Sequence, residues 1–158
     1  MIERLQSDDD ARACAAMMAA SDPWHVLGRS YDDCLRVVTD PGGETWIARE
    51  DGAVRGFIIV LMRGALVGYI RIICVAPDAR GSGLGSRLIA FAEERIFREG
   101  PNVFLCVSSF NRRARALYER LGYQAVGELK DYIVRGASEI LMRKTIGPLS
   151  AASAPPAS

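Results

Sequence analysis

The stretch Arg80-Gly81-Ser82-Gly83-Leu84-Gly85 constrains this chain more than any other. An apolar run, Tyr69 to Val75, precedes it, and an amphipathic segment, Leu84 to Glu99, follows. That order predicts strand, glycine-rich turn, helix. A turn of this kind presents backbone N–H groups at a helix N-terminus, where the macrodipole also favours negative charge. Glycine removes the Cβ atoms that would block close approach. The turn is therefore suited to an anionic group, a pyrophosphate above all.

The rest of the chain supplies context for that turn. Ile2 to Leu5 is expected to be a first strand. Ser7 to Asp10 offers a cap and early-turn acids for a helix over Ala11 to Ala20, which stops near Ser21-Asp22-Pro23. Trp24 to Gly28 reads as a loop. A second helix starts at Ser30 and ends near Asp40-Pro41-Gly42-Gly43. Glu44 to Arg49 and Val54 to Leu61 form a hairpin about Asp51-Gly52. Leu66 to Val75 reads as one long strand. Leu84, Leu88 and Ile96 share one face of the helix after the turn, and Gly100-Pro101 ends it. Val103 to Val107 is a doubly covered strand. Arg112 to Leu121 is a helix closed by Gly122. Tyr123 to Leu129 and Glu139 to Lys144 are closing strands. The resulting class is α+β, with a mixed, mostly antiparallel sheet of about seven strands and about four flanking helices. Residues 1–146 are expected to form a single domain. The Ala/Ser/Pro-rich residues 147–158 are expected to be a disordered tail.

Composition narrows the partners. The 158 residues carry 20 Lys and Arg against 19 Asp and Glu, a net charge of +1. That balance gives no bulk attraction for nucleic acid or an acidic membrane. The N-terminus lacks the pattern of a signal peptide, and no run is long and apolar enough to span a bilayer. Cys14, Cys34, Cys74 and Cys106 show no metal-ligand spacing, and His25 is the one histidine, so no metal is expected. Scattered reduced thiols fit a cytoplasmic protein.

Three phosphate-binding readings compete for the turn. A Walker loop needs Gly-Lys-Ser/Thr, but Gly85 is followed by Ser86-Arg87. A dinucleotide fingerprint needs a third glycine where Ser86 or Leu88 stands, and a parallel βαβ context that the hairpins deny. The third reading rests on Arg80, Gly83 and Gly85, with Val75-Ala76-Pro77 before them. Asn111 lies beyond the next strand, followed by the run Ala116-Leu117-Tyr118-Glu119-Arg120-Leu121-Gly122-Tyr123. In these features, over about Glu44 to Lys144, the chain resembles the GNAT superfamily of N-acetyltransferases.

The resemblance implies a GNAT fold and an acetyl-CoA donor. It assigns the pantetheine arm to backbone groups of Ile73, Cys74 and Val75, with the Val75 amide toward the thioester oxygen. It assigns the pyrophosphate to Gly81, Ser82, Gly83, Leu84, Gly85 and Ser86, with Arg80 adding charge. Asn111 would bond the cofactor arm, though it also suits a helix cap. Tyr118 would lie at the sulfur and serve as general acid. The reaction implied is direct acetyl transfer to a primary amine of a small molecule or peptide. The alternatives are a non-catalytic acyl-CoA-binding module and a thioesterase-like protein. An acyl-cysteine route through Cys74 or Cys106 lacks an activating neighbour in the sequence.

The general base is the open question. Ribosomal-protein alanine N-acetyltransferases, which the C-terminal half resembles, carry a glutamate where Cys106 stands. Glu44, Tyr69, Asp131, His25 or a water chain remain as candidates. Trp24, His25, Tyr31, Tyr69 and Tyr132 are expected to line the acceptor side, with Arg135 near them. A free strand edge at the C-terminal end of the sheet could pair two copies as a homodimer.

Overall fold

Local capping sets the first half of the fold. In the computed structural model, which describes residues 1–157, strand β1 (Ile2–Arg4) runs into helix α1 (Asp8–Ala19). The Ser7 side chain accepts from the Asp10 amide at 3.1 Å, and three aspartates fill the first turn. Helix α2 (Tyr31–Val38) starts from a reciprocal box in which Ser30 and Asp33 satisfy each other's amides. Strands β2 (Glu44–Glu50) and β3 (Ala53–Leu61) form the expected hairpin, with Asp51 and Gly52 both at positive φ.

The second half alternates strand and helix. It comprises β4 (Tyr69–Val75), α3 (Leu84–Phe97), β5 (Asn102–Ser108), α4 (Arg112–Arg120), β6 (Gln124–Lys130) and β7 (Ser138–Thr145). The seven strands form one sheet in the order β1-β2-β3-β4-β5-β7-β6. Only β4 and β5 pair in parallel. The α+β class, strand number and helix number match the sequence expectation.

Two differences have physical reasons. The fourth strand begins at Tyr69 and not at Leu66, because Gly68 sits at φ +84° and turns the chain. A Cβ there would lie 2.5 Å from the Asn102 carbonyl oxygen, so the bend also brings two backbones together. The free edge at the C-terminal end is β6, not the last strand in sequence. β7 inserts between β5 and β6, and every residue of β6 is exposed. Residues 148–157 carry no helix or strand, and the tail's last residue, Ser158, lies outside the described residues.

Each face of the sheet has its own core. Helices α1 and α2 cover one face, with Cys14, Met18, Cys34 and Val38 against Ile47, Phe57, Ile59, Ile72 and Cys74. Helix α3 covers the other, with Leu84, Leu88, Ile89 and Ile96 against Ile58, Val60, Ile70 and Leu105. Fully burying one such side chain contributes about 1.5–3 kcal/mol. No helix among the described residues is long and apolar enough to cross a membrane.

Candidate active site

A bulge opens the sheet at its centre. Ile59 pairs with Ile72 and Val60 with Ile70, which leaves Arg71 as an extra residue on β4. Bulges bend the strand that carries them and increase its twist. The parallel pairing of β4 with β5 stops at that point. Tyr69 faces Phe104, Ile70 faces Leu105, and no rung follows. Arg71 itself is anchored to Asp40 at 2.6 Å, and the Gly42 amide, with that Arg71 bond, holds the Asp40 carboxyl below the usual range.

The splay leaves a cleft of about 1360 Å³ that reaches both faces of the sheet. Ala76 donates to the Arg55 carbonyl at 2.8 Å, so Ala76, Cys74 and Ile72 turn their peptide groups toward β3. Ile73 and Val75 therefore turn theirs toward the cleft. The Cys74 peptide belongs to the ladder with β3, and its thiol is packed under α1 and α2. Burial pushes that thiol up to about 11, with Ser21 and Arg80 offsetting part of the effect.

Beside the splay stands the glycine turn. Gly83 is the N-cap of α3 at φ +82°, and no side chain caps the helix. A Cβ at Gly81 or Gly83 would meet nothing within 4 Å. The first turn of α3 has no acid, so its unpaired amides face open space with a positive dipole behind them. Ser82 braces the turn by donating to the Ala79 carbonyl at 2.6 Å. The Leu84 side chain is buried in the core, which leaves only its amide for a ligand. Gly85 and Ser86 line the cleft. Arg80 reaches the Val75 carbonyl at 3.4 Å and the Ser21 hydroxyl at 3.3 Å, holding its guanidinium between the turn and β4.

Helix α4 closes the same side. Asn111 caps it, its side-chain oxygen accepting from the Ala114 amide at 3.3 Å, and Asn111 also lines the cleft. One of the two roles weighed for Asn111 is thus visible directly. Tyr118 lies on the inner face of α4 and meets Tyr123 edge-on, with ring centroids 6.0 Å apart. It is 7% exposed and lines the cleft. Burial alone pushes its hydroxyl up to about 12, so it stays protonated at neutral pH.

The opposite face carries a different set. Tyr69, Cys106, Ser108, Tyr132 and Glu139 line the cleft there. Burial raises the Tyr69 phenol, and a hydrogen bond with Cys106 raises it further. Burial also raises the Cys106 thiol, partly offset by that bond, so it stays protonated at neutral pH and neither accepts a proton nor attacks readily. Ser108 donates to Glu139 at 2.6 Å across the β5–β7 ladder.

Glu139 escaped the sequence reading. Its partner is 31 residues away, and an acid at a strand end reads as solvated. The available signal was alternation, which puts Glu139 and Leu141 on one face of β7 and Ile140 and Met142 on the other.

The other candidates fall elsewhere. Glu44 is held by Arg95 at 2.7 Å and lies off the cleft. The Asp131 carboxylate accepts from the Gly136 amide at 2.6 Å within the β6–β7 turn. His25 and Tyr31 are exposed and do not line the cleft, whereas Trp24 does and also packs on the core beneath α1 and α2. Tyr132 stands at the rim, 66% exposed.

The site is thus a splayed mixed sheet with an open helix terminus on one side and a polar pocket on the other. The chain belongs to the acetyltransferase (GNAT) family, whose family model matches residues 9–123. Among individual relatives it is similar to N-alpha-acetyltransferase RimI of Mycobacterium tuberculosis. The two are 31% identical over 146 residues, covering 87% of this chain and 88% of that one. It is 33% identical over 90 residues to blasticidin-S acetyltransferase of Streptomyces morookaense, covering 52% of this chain and 66% of that protein's length. An aminoglycoside 6'-N-acetyltransferase solved in complex with coenzyme A has the same fold. Its TM-score is 0.75 at 20% identity, over 94% of this chain and 98% of that one.

Proposed function

We propose that this protein transfers an acetyl group from acetyl-CoA directly to a primary amine of a small molecule or peptide. The observation that carries the reading is the two-faced cleft. One face offers the open N-terminus of α3 and the unpaired amides of Ile73 and Val75. The other offers Tyr69, Ser108 and Glu139. A donor bound on the first face meets an amine entering from the second through the gap between β4 and β5.

On this reading the amides of Gly81 to Ser86 hold the pyrophosphate, with Arg80 beside them. The Val75 amide donates to the thioester oxygen as charge develops on it. Tyr118, still protonated at neutral pH, supplies the proton that the departing sulfur needs. The raised thiols of Cys74 and Cys106 support direct transfer over an acyl-cysteine route.

Free thiol released from acetyl-CoA, followed with a panel of amines, peptides and polyamines, tests the reading. The expected result is release that requires an amine. Release without amine indicates hydrolysis. Binding of acetyl-CoA with no release across the panel indicates a non-catalytic module. Sedimentation of the same sample reports whether the exposed β6 edge pairs two copies.

A further inference from the structure

We infer that Glu139, held by Ser108, is the anchor for the acceptor's ammonium group and the first recipient of its proton. The inference rests on the proposed acetyl transfer and names the residue and substrate class for its acceptor side.

Glu139 is 6% exposed. Ser108 satisfies one of its oxygens at 2.6 Å. No protein group donates to the other oxygen among the described residues, and that oxygen is not sealed away from the cleft. No Arg or Lys pairs with it. Glu44, Glu50, Glu93, Glu94 and Glu99, by contrast, each hold a cation. A buried carboxylate without a counter-charge is costly to keep in a fold. The structure keeps it at the wall of a cleft, with a vacant acceptor oxygen, so its missing partner is a cation that comes and goes.

Its position suits the chemistry. Counting from the Tyr69–Phe104 rung and allowing for the extra residue at Arg71, Ser108 on β5 lies level with the Ile73–Val75 stretch of β4. Glu139 pairs with Ser108 on the next strand. The carboxylate is thus level with the splayed peptides, on the face opposite Tyr118. Tyr69, Leu129, Tyr132 and Ile133 wall the approach with aromatic and aliphatic surface. The ligand chemistry is a primary ammonium on an apolar or aromatic stem.

The steps balance. The ammonium gives one proton to Glu139 and becomes a free amine. Its nitrogen forms a bond to the acyl carbon, and the carbon–sulfur bond breaks. The thiolate takes the Tyr118 proton. A second proton lost from the nitrogen restores Tyr118 through solvent, and Glu139 releases the first to water. The products are an amide, a free thiol and one proton in solution.

The test is a titration of the full chain, first with coenzyme A and then with phenethylamine or its uncharged analogue 2-phenylethanol. Wild type is expected to bind phenethylamine at least ten-fold more tightly than 2-phenylethanol. Glu139→Gln is expected to erase that preference while its affinity for coenzyme A stays unchanged. It is also expected to lower kcat/KM for amine acetylation about a hundred-fold without a change in the KM for acetyl-CoA. Equal binding of the amine and the alcohol by wild type overturns the inference without any variant. So does a Glu139→Gln protein that keeps the preference or the turnover. Failure of wild type to bind coenzyme A in the first step overturns instead the proposed function on which the inference rests.

Discussion

Ala76 donates its backbone N–H to the Arg55 carbonyl at 2.8 Å, and that bond settles the direction of every peptide group before it on β4 back to the bulge. Cys74 and Ile72 are committed to β3. Ile73 and Val75 are left facing a gap, because the bulge at Arg71 ends the pairing with β5 after Ile70. A sheet that exposes the amides of Ile73 and Val75 at its centre leaves those donors unmatched unless a ligand or water bonds them. Those peptides lie beside the uncapped terminus of α3.

Gly83 tests the terminus. Its φ of +82° disfavours any side chain, and a Cβ there would project into open space at the terminus of α3, where the proposed pyrophosphate would lie. Gly83→Val is expected to weaken coenzyme A binding at least ten-fold. The backbone strain adds about 1–2 kcal/mol of destabilisation. Titration calorimetry together with thermal melting separates the two effects.

Gly68 is the structural counterpart. It has φ +84°, and a Cβ would lie 2.5 Å from the Asn102 oxygen and 2.6 Å from the Ile96 side chain. Gly68→Ala is expected to destabilise the fold by about 2 kcal/mol or more, through strain and overpacking together. That corresponds to a fall in Tm of roughly 4–8 °C for a domain of this size. A variant that melts like wild type would show that the β3–β4 connection is not bent as described.

Tyr118→Phe removes one hydroxyl from the wall of the cleft. The expected result is a kcat lowered about a hundred-fold with coenzyme A affinity unchanged. Steady-state kinetics in parallel with a binding titration reads both. Unchanged turnover would remove Tyr118 from the chemistry.

Burial raises the hydroxyls of Tyr69, Tyr118 and Tyr123 above the ordinary tyrosine range. A raised pKa in the folded state leaves stability intact while the unfolded tyrosines are still protonated. Stability is then lost as pH climbs past their ordinary value of about 10. Denaturant midpoints are therefore expected to be insensitive to these groups from pH 7 to about 9, and to fall steeply above pH 10. A midpoint that holds constant to pH 11 would contradict the burial of these rings.

The sequence made much of this legible. Ser7 and Ser30 announced two helices through their side-chain caps, and Asp51-Gly52 announced a hairpin, because each signal is local. The glycine turn and the run around Tyr118 were legible for the same reason. What lay hidden depends on contacts distant in sequence. Arg71 interrupts the apolar run in polarity, but a single charge in a strand does not announce a bulge. The bend at Gly68 exists because another backbone, at Asn102, passes close by. Glu139 acquires its character from Ser108 on a neighbouring strand and from burial, neither of which marks the residues around it.

Acetyl-CoA is proposed to lie in the cleft along β4 and on the terminus of α3. Amide hydrogen exchange, read residue by residue with and without acetyl-CoA, tests this placement most directly. Added protection is expected at Ile73, at Val75 and from Gly81 to Ser86, with no change at Cys74, whose amide is already bonded to β3. Protection that misses Val75 and the glycine turn, or that appears at Cys74 in their place, would contradict that placement.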